Sequence, residues 1–296
     1  MLQPSETSYF SQPAGTLDPR LFKNEKLDAS VRSAILQLMF NCLNQSYTGA
    51  ERWATAWLAG SGVSYQWAAH REPADLDCIV GVNYASFRAA NDPYRGLSDT
   101  EIQSMLNEGF RAFMGGSGDL FMGVFELTFF AILSTHITDI KPYAAYALLD
   151  DKWVVSPNRE LPVTSPEWEA SAKQDADDAI MLTSRFITSR NKYEHATNAA
   201  VKANARSEMR VASSQAGAMY NAIHSNRSIA FSTGGSGYGD FNNFRWQAGK
   251  RSGVIQTLRA IKSEMEAQDA EATKATYGVD LPDTSTLIRR AATYRQ

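Results

Sequence analysis

The pattern of apolar and polar residues predicts a mixture of helices and strands in the first 160 residues. After Asp28 or Ser30, either of which can cap a helix, apolar side chains recur at helical spacing. Further helices are predicted at residues 84–90 and 98–114, the second opened by a capping box at Ser98. Helices therefore account for much of this part of the chain.

Strands are predicted where apolar residues run together or alternate with polar ones. The predicted segments are residues 52–59, 75–82 and 120–133, with shorter strands or turns at 139–148 and 152–155. The segment 120–133 is rich in Phe and alternates its two faces, as strands do. Residues 60–67, between the first two strands, are predicted to turn into a short helix.

The residue pattern of the chain changes near residue 160. Several prolines mark a loop there, and the remainder is predicted to form helices at about 167–193, 197–225 and 241–268. We therefore predict an α+β protein with a small mixed-sheet domain at residues 28–160 and a helical domain at 161–296. The polar, proline-containing residues 1–27 are predicted to form an extended N-terminal arm.

Composition and charge narrow the class of protein. The 296 residues carry a formal net charge of −3, which provides no overall basic field for nucleic acid. Cys42 and Cys78 are the two cysteines, so we expect neither a disulfide framework nor a cysteine zinc site. We expect the protein to occur in a reducing compartment. No apolar run is long enough for a bilayer, and the first residues lack the pattern of a signal peptide. We expect a cytoplasmic protein with no membrane partner.

The strongest candidate for chemistry is a small-residue turn, Gly60-Ser61, followed after a gap of thirteen residues by Asp75-Leu76-Asp77. Alternate strand residues share a face, so the two aspartates project together and provide the oxygen ligands that Mg²⁺ prefers. The turn can offer backbone N–H groups and a hydroxyl to phosphate oxygens. The alternative is a strand-entry turn in which the aspartates cap backbone groups.

This pairing resembles the nucleotidyltransferase signature of the DNA polymerase beta superfamily. The resemblance covers roughly residues 50–135, and the rest of the chain looks like actinobacterial and phage proteins that carry such a domain. It implies that Asp75 and Asp77 bind two Mg²⁺ ions, with Mn²⁺ as a possible substitute. It also implies that Gly60 and Ser61 hold the phosphates of a nucleoside triphosphate such as ATP.

A third carboxylate is expected on a neighbouring strand, and Glu126 is the first candidate. A carboxylate within so apolar a segment carries a large desolvation cost unless a metal or cation offsets it. The alternatives are that Glu126 pairs with an arginine, or that it faces water from an edge strand. Asp139, in Thr138-Asp139-Ile140, is the competing candidate because that segment also has the pattern of a strand.

Additional nucleotide-binding residues are expected outside this motif. Lys250 and Arg227 flank a glycine-rich segment at residues 234–239, which is a weak candidate for a phosphate loop and a better one for a hinge or lid. A cation from either residue could compensate triphosphate charge, with Lys250 the preferred candidate, and the alternative is ordinary surface charge. Tyr143 could stack on a base, although core packing is the safer interpretation.

The sequence thus predicts a metal-dependent nucleotidyltransferase that moves a nucleoside monophosphate to an acceptor hydroxyl. The motif leaves the acceptor open among an RNA 3′ end, a protein and a small molecule. The alternative hypothesis is a non-catalytic nucleotide-binding or protein-interaction module that keeps the same fold.

Overall fold

The computed structural model of the protein describes residues 14–67, 73–117, 120–160, 163–232 and 234–278. The chain divides into two compact units, which separate between Leu161 and Pro162. The described residues 14–160 are called the sheet unit below, and the described residues 163–278 the helical unit. Within these ranges no helix combines the length and the apolar character needed to cross a membrane.

The sheet unit contains a five-stranded mixed sheet and a two-stranded hairpin. The strands of the large sheet are β3 (Ala54–Ala59), β4 (Ala74–Val82), β5 (Phe125–Ile132), β6 (Ala145–Ala147) and β7 (Lys152–Val155). They lie in the order β5-β4-β3-β6-β7, so β5 and β7 are its edges. Strands β4 and β5 are parallel, and every other neighbouring pair is antiparallel. The hairpin pairs β1 (Phe22–Lys23) with β2 (Lys26–Leu27).

Four helices accompany the large sheet. They are α1 (Ala29–Asn44), α2 (Ala50–Trp53), α3 (Tyr84–Ala90) and α4 (Asp99–Ser117). Asp28 caps α1 by accepting the backbone N–H of Ser30, as expected from the sequence. At the start of α4 the backbone N–H of Ser98 donates to Glu101, and the Glu101 N–H donates to the Ser98 hydroxyl, which completes the predicted capping box.

The two faces of the sheet have different environments. One face of β4 and β5 is buried in the main core, which includes Leu76, Cys78, Leu127 and Phe129. The opposite face carries a smaller apolar cluster around Trp57 and leaves the first residues of β4 and β5 accessible to solvent. Because side chains alternate along a strand, the core on one face dictates which residues appear on the accessible face.

The helical unit consists of four helices packed around a second core. Their bounds are α5 (Pro166–His195), α6 (Ala199–Ala230), α7 (Phe241–Arg251) and α8 (Val254–Tyr277). The prediction of one helix over residues 241–268 is wrong, because the chain breaks at Gly253, whose φ is +80°. Glycine adopts this left-handed conformation without the steric cost of a Cβ, so α7 ends and α8 begins there.

Three other predictions need correction. Residues 14–27 do not form an extended arm: Leu17, Leu21 and Leu27 are buried in the main core. The first part of the predicted arm, residues 1–13, lies outside the described residues, as does the last part of the predicted helical domain from residue 279. The predicted first strand begins only at Ala54, because residues 50–53 form α2, and residues 120–124 form a turn before β5.

Candidate functional site

Asp75 and Asp77 project from the accessible face of β4. Leu76 and Cys78, which alternate with them, are completely buried, whereas Asp75 is half-buried and Asp77 is exposed. The local cause is the pattern of the strand itself, in which every second residue from Leu76 onward is apolar. The sequence therefore places both carboxylates on one face, as predicted.

Glu126 lies beside Asp75 on the neighbouring strand. In the parallel register of β4 and β5, Asp75 is opposite Glu126 and Asp77 is opposite Thr128. Neighbouring strands lie about 4.8 Å apart, so the backbones that carry the three acids are adjacent. The structure thus brings Asp75, Asp77 and Glu126 to one end of one sheet face.

Glu126 is not buried, so the prediction that its carboxylate carries a large desolvation cost is wrong. The side chain is exposed, and Phe130 on the same face of β5 is itself 49% exposed. The apolar residues of β5 that face the core alternate with residues that face solvent, and β5 is an edge strand. Glu126 has no ion pair with an arginine among the described residues, so what favours it is its register beside Asp75 and not its burial.

The turn after β3 packs directly against the two aspartates. Gly60 has φ +92° and ψ −162°, and a Cβ added there would lie 3.3 Å from Oδ2 of Asp77. A Cβ added at Gly62 would lie 2.7 Å from the backbone oxygen of Asp75, closer than real Cβ contacts allow. Both glycines are therefore required for the close approach of the turn to β4, and a short 3₁₀ helix follows at Ser61–Val63.

Hydrogen bonds assign different roles to the residues of this turn. The backbone N–H of Gly60 donates to the carbonyl of Ala144 at 3.2 Å, so it is engaged within the protein fold. Ser61 is half-buried at the start of the 3₁₀ helix and is the better placed of the two for a phosphate. The Thr128 hydroxyl donates to Oδ1 of Asp77 at 3.1 Å and orients that carboxylate.

Tyr143 and Gln66 lie next to the same turn. Burial raises the pKa of the Tyr143 hydroxyl, and the neighbouring Gln66 amide acts in the opposite direction. That hydroxyl donates to the carbonyl of Asn158 at 3.1 Å. Gln66 is only 4% exposed, and its amide nitrogen and oxygen have no partner in hydrogen-bonding geometry among the described residues. Tyr143 is thus engaged in packing and hydrogen bonding, and its predicted stacking on a base stays a prediction.

Sequence reasoning missed two residues beside the acids, Thr128 and Gly62, and the buried Gln66 beside Tyr143. Thr128 could have been found, because it follows Glu126 by two positions and so shares its face. Gly62 gave a partial signal as the second glycine of the turn. Gln66 gave none, because nothing in the sequence distinguishes a buried amide from an exposed one.

Cys78 is not a candidate nucleophile. Its side chain is completely buried beneath the aspartates, and this burial strongly raises the pKa of its thiol. The neighbouring Asp77 carboxylate adds to the effect, because a negative charge disfavours the thiolate. The thiolate is the reactive form, so this cysteine serves packing only.

The carboxylates of Asp75, Asp77 and Glu126, which we call the acid face, have donor chemistry that fits a divalent cation. Carboxylate oxygens are the ligands that Mg²⁺ prefers, and the three carboxylates extend from two adjacent strands. In the described ranges, however, no group of three or more His, Cys, Asp and Glu side chains is gathered closely enough to hold a metal ion. Exposed side chains such as that of Glu126 change rotamer within nanoseconds, so the backbone register is the more durable feature.

The other predicted site residues have different surroundings. Asp139 lies in a 3₁₀ helix, Ile137–Ile140, and not in a strand, and it accepts a hydrogen bond from the Ser134 hydroxyl. Lys250 is in the last turn of α7, and Arg227 is in the last turn of α6, with its guanidinium over the Trp246 ring. Both basic residues belong to the helical unit, and their predicted contact with a triphosphate stays a prediction.

The predicted hinge or lid at residues 234–239 is a compact turn in its described part. Gly237 and Tyr238 are buried, and the Asn243 amide donates to the carbonyl of Tyr238 at 2.7 Å. A Cβ added at Gly235 would lie 2.2 Å from the backbone oxygen of Ala230, so the turn packs closely on the end of α6. These contacts favour a fixed connection between α6 and α7.

Comparison with known proteins adds no further information about this site. No protein-family model, no curated protein and no solved structure matches the chain.

Proposed function

We propose that the sheet unit catalyses metal-dependent transfer of a nucleoside monophosphate from a nucleoside triphosphate to an acceptor hydroxyl. One observation carries the proposal: the Gly60–Gly62 turn packs against Asp75 and Asp77, with Glu126 in register beside them. A glycine-serine turn, two aspartates on one strand and an acid on the next strand are what the nucleotidyltransferase resemblance leads us to expect.

The residues of this face have separate roles in the proposed reaction. Asp75, Asp77 and Glu126 would hold the cation, Mg²⁺ or in its place Mn²⁺. When bound, two such ions would compensate phosphate charge and favour ionisation of the attacking hydroxyl. Ser61 would contact the phosphates through its hydroxyl, and Thr128 would keep the Asp77 carboxylate in position.

The proposed transfer exchanges one phosphorus–oxygen bond for another. The acceptor oxygen forms a bond to the α-phosphorus, and the bond from that phosphorus to the bridging oxygen of the β-phosphate breaks. Pyrophosphate leaves with the electron pair of that bond, and the hydroxyl proton passes to a carboxylate of the acid face. Exposure of this face leaves room for an acceptor to approach.

The test uses the full chain with each of the four nucleoside triphosphates, labelled at the α-phosphate, and Mg²⁺ or Mn²⁺. Acceptors are the protein itself, an RNA with a free 3′ hydroxyl and a panel of small hydroxyl compounds. We expect pyrophosphate release and label transfer in the wild type, and loss of both by at least a hundredfold in Asp75→Ala/Asp77→Ala. The matched control is Asp92→Ala, whose carboxylate is 74% exposed and pairs with Arg95.

A second comparison identifies the third acid. Glu126→Gln is expected to reduce the rate strongly, whereas Asp139→Asn leaves it unchanged, because only Glu126 is in register with Asp75. The opposite ranking would assign the role to Asp139. Triphosphate binding that persists without pyrophosphate release, across every acceptor, would overturn the transferase proposal and favour a non-catalytic binding module.

A further inference from the structure

The accessible face of β4 and β5 changes from acidic to apolar along its length. Near the start of the strands it carries Asp75, Asp77 and Glu126. Further along, the same face carries Ile79 and Phe130, because side chains alternate along a strand and these residues follow the acids by even steps. Ile79 and Phe130 are opposite each other in the register of the two strands. The acid face and an apolar area are therefore contiguous.

Phe130 presents an aromatic ring to solvent. Its side chain is 49% exposed, whereas Ile79 beside it is half-buried and packs against the apolar cluster around Trp57. In the described part of the chain, no other aromatic ring and no cation contacts the Phe130 ring. Aromatic side chains stack on nucleobases with little dependence on the base, because every base has a π-face. The Phe130 ring is therefore available to a flat group of a ligand.

The separation between the acid face and this ring suits one nucleoside. Thr128, whose hydroxyl orients the Asp77 carboxylate, is opposite that aspartate, and Phe130 is two residues further along β5. A strand rises about 3.3 Å per residue, so the backbone positions of Thr128 and Phe130 are about 7 Å apart. A nucleoside can bridge this separation, with a ribose hydroxyl at a cation on the acid face and its base on the ring.

The direction of the proposed transfer decides which nucleoside this is. In phosphoryl transfer the attacking and the leaving oxygen lie roughly in line with the phosphorus between them. The leaving pyrophosphate would be held at the Gly60–Gly62 turn, which follows β3, and β3 and β5 lie on opposite sides of β4. The attacking hydroxyl then approaches from the side of β5. Phe130 is on that side, so its position suits the acceptor and not the base of the triphosphate.

We propose that the acceptor is the 3′ end of a single-stranded nucleic acid, whose terminal base stacks on Phe130 beside Ile79. This inference rests on the proposed nucleotidyl transfer and selects one of its acceptor classes. The 3′ oxygen forms the bond to the α-phosphorus, pyrophosphate leaves with the electron pair of the broken bond, and the hydroxyl proton passes to a carboxylate of the acid face. Contact with one terminal nucleoside needs no extensive basic surface, which agrees with the formal net charge of −3.

The test compares two short single-stranded RNA acceptors that differ only in the 3′-terminal residue, which carries adenine in one and no base in the other. Both have the same phosphates and the same 3′ hydroxyl, so a difference in rate reports the base. With the full chain, Mg²⁺ and α-labelled triphosphates, we expect the missing base to lower kcat/KM for the acceptor by about tenfold to a hundredfold. Phe130→Ala should lower kcat/KM similarly for the adenine-ended RNA and cause little further loss for the abasic RNA.

Two further variants separate stacking from a general defect of the sheet unit. Phe130→Tyr keeps an aromatic face and should retain the preference for the adenine-ended RNA. Leu149→Ala removes an apolar side chain of similar exposure, 44%, from the segment after β6, and it should also retain the preference. Loss of the preference in Leu149→Ala as large as that in Phe130→Ala would overturn the assignment of the base to Phe130.

A binding measurement distinguishes failure of this inference from failure of the proposed function. The ring signals of Phe130 are followed by NMR in the full chain with Mg²⁺ as each RNA is added, and we expect the adenine-ended RNA alone to shift them. Transfer to a protein or a small hydroxyl compound, with equal use of the two RNAs, would overturn this inference and leave the transferase. Base-dependent shifts without pyrophosphate release would overturn the transfer and retain nucleic-acid binding at Phe130.

Discussion

Replacement of Gly60 by alanine tests the geometry of the turn against the acid face. At φ +92° and ψ −162° a residue with a Cβ is strained, at a cost on the order of 1–3 kcal/mol. The new Cβ would also lie 3.3 Å from Oδ2 of Asp77, so the carboxylate must shift by a few tenths of an ångström. Alanine also restricts the unfolded chain, which offsets about 0.4–1 kcal/mol of that strain. The free energy of unfolding should therefore fall by about 1–2 kcal/mol.

Hydrogen exchange gives a measurement that is specific to the sheet unit. A loss of about 1–2 kcal/mol increases the open population by about fivefold to thirtyfold, and the protected amides of β3 and β4 should exchange faster by the same factor. The matched control is Gly109→Ala in α4, where an added Cβ meets nothing within 4 Å. Alanine there is expected to be neutral or to stabilise by about 0.5–1 kcal/mol.

The same variant links stability to chemistry. Because the Asp77 carboxylate must move, Gly60→Ala is expected to lose pyrophosphate release beyond what its folded fraction explains. If Gly60→Ala exchanged as slowly as Gly109→Ala, the reasoning from the backbone conformation and the close approach to Asp77 would be refuted. If Gly60→Ala were destabilised but turned over normally, the predicted backbone strain would be supported. The predicted effect of the Asp77 shift on catalysis would be contradicted.

Two further predictions concern the helical unit. Asp175 is buried and accepts two hydrogen bonds of 2.6 Å from Arg245. Urea unfolding should therefore show that Asp175→Asn lowers the free energy of unfolding by about 2–3 kcal/mol. The exposed control Asp177→Asn should leave it unchanged. Equal effects of the two variants would contradict this assignment. The lowered pKa of His224 means that folding favours the neutral imidazole. The free energy of unfolding should therefore fall as the pH decreases from the ordinary pKa of 6.5 towards the lower pKa of the folded state. Urea unfolding at a series of pH values should show that His224→Gln removes this part of the decline, and an unchanged pH profile would argue against it.

Asp175 also illustrates why sequence reasoning misjudged a residue. The sequence pattern of Asp175, Asp177 and Asp178 predicts a solvated charge run on one helix, because nothing in the sequence distinguishes the three residues. In the structure Asp177 is exposed, whereas Asp175 lies against Arg245, seventy residues away along the chain. The pairing depends on how α5 and α7 pack, and no local pattern encodes that packing.

The sequence by itself determined the elements whose cause is local. Asp28 caps α1, Ser98 and Glu101 open α4, and the alternation in β4 puts Asp75 and Asp77 on one face. Each of these follows from hydrogen bonds or side-chain directions within a few residues, so the pattern was sufficient to predict them.

Only the tertiary structure decided which distant residues meet at the candidate site. The parallel register of β4 and β5 puts Glu126 beside Asp75, and the same alternation exposes Glu126 to water, against the expectation of burial. The close approach of the Gly60–Gly62 turn to β4, and the convergence of three helices on Trp246, likewise involve residues far apart in sequence. Packing between elements sets these contacts, because each element alone satisfies its local pattern in many possible arrangements.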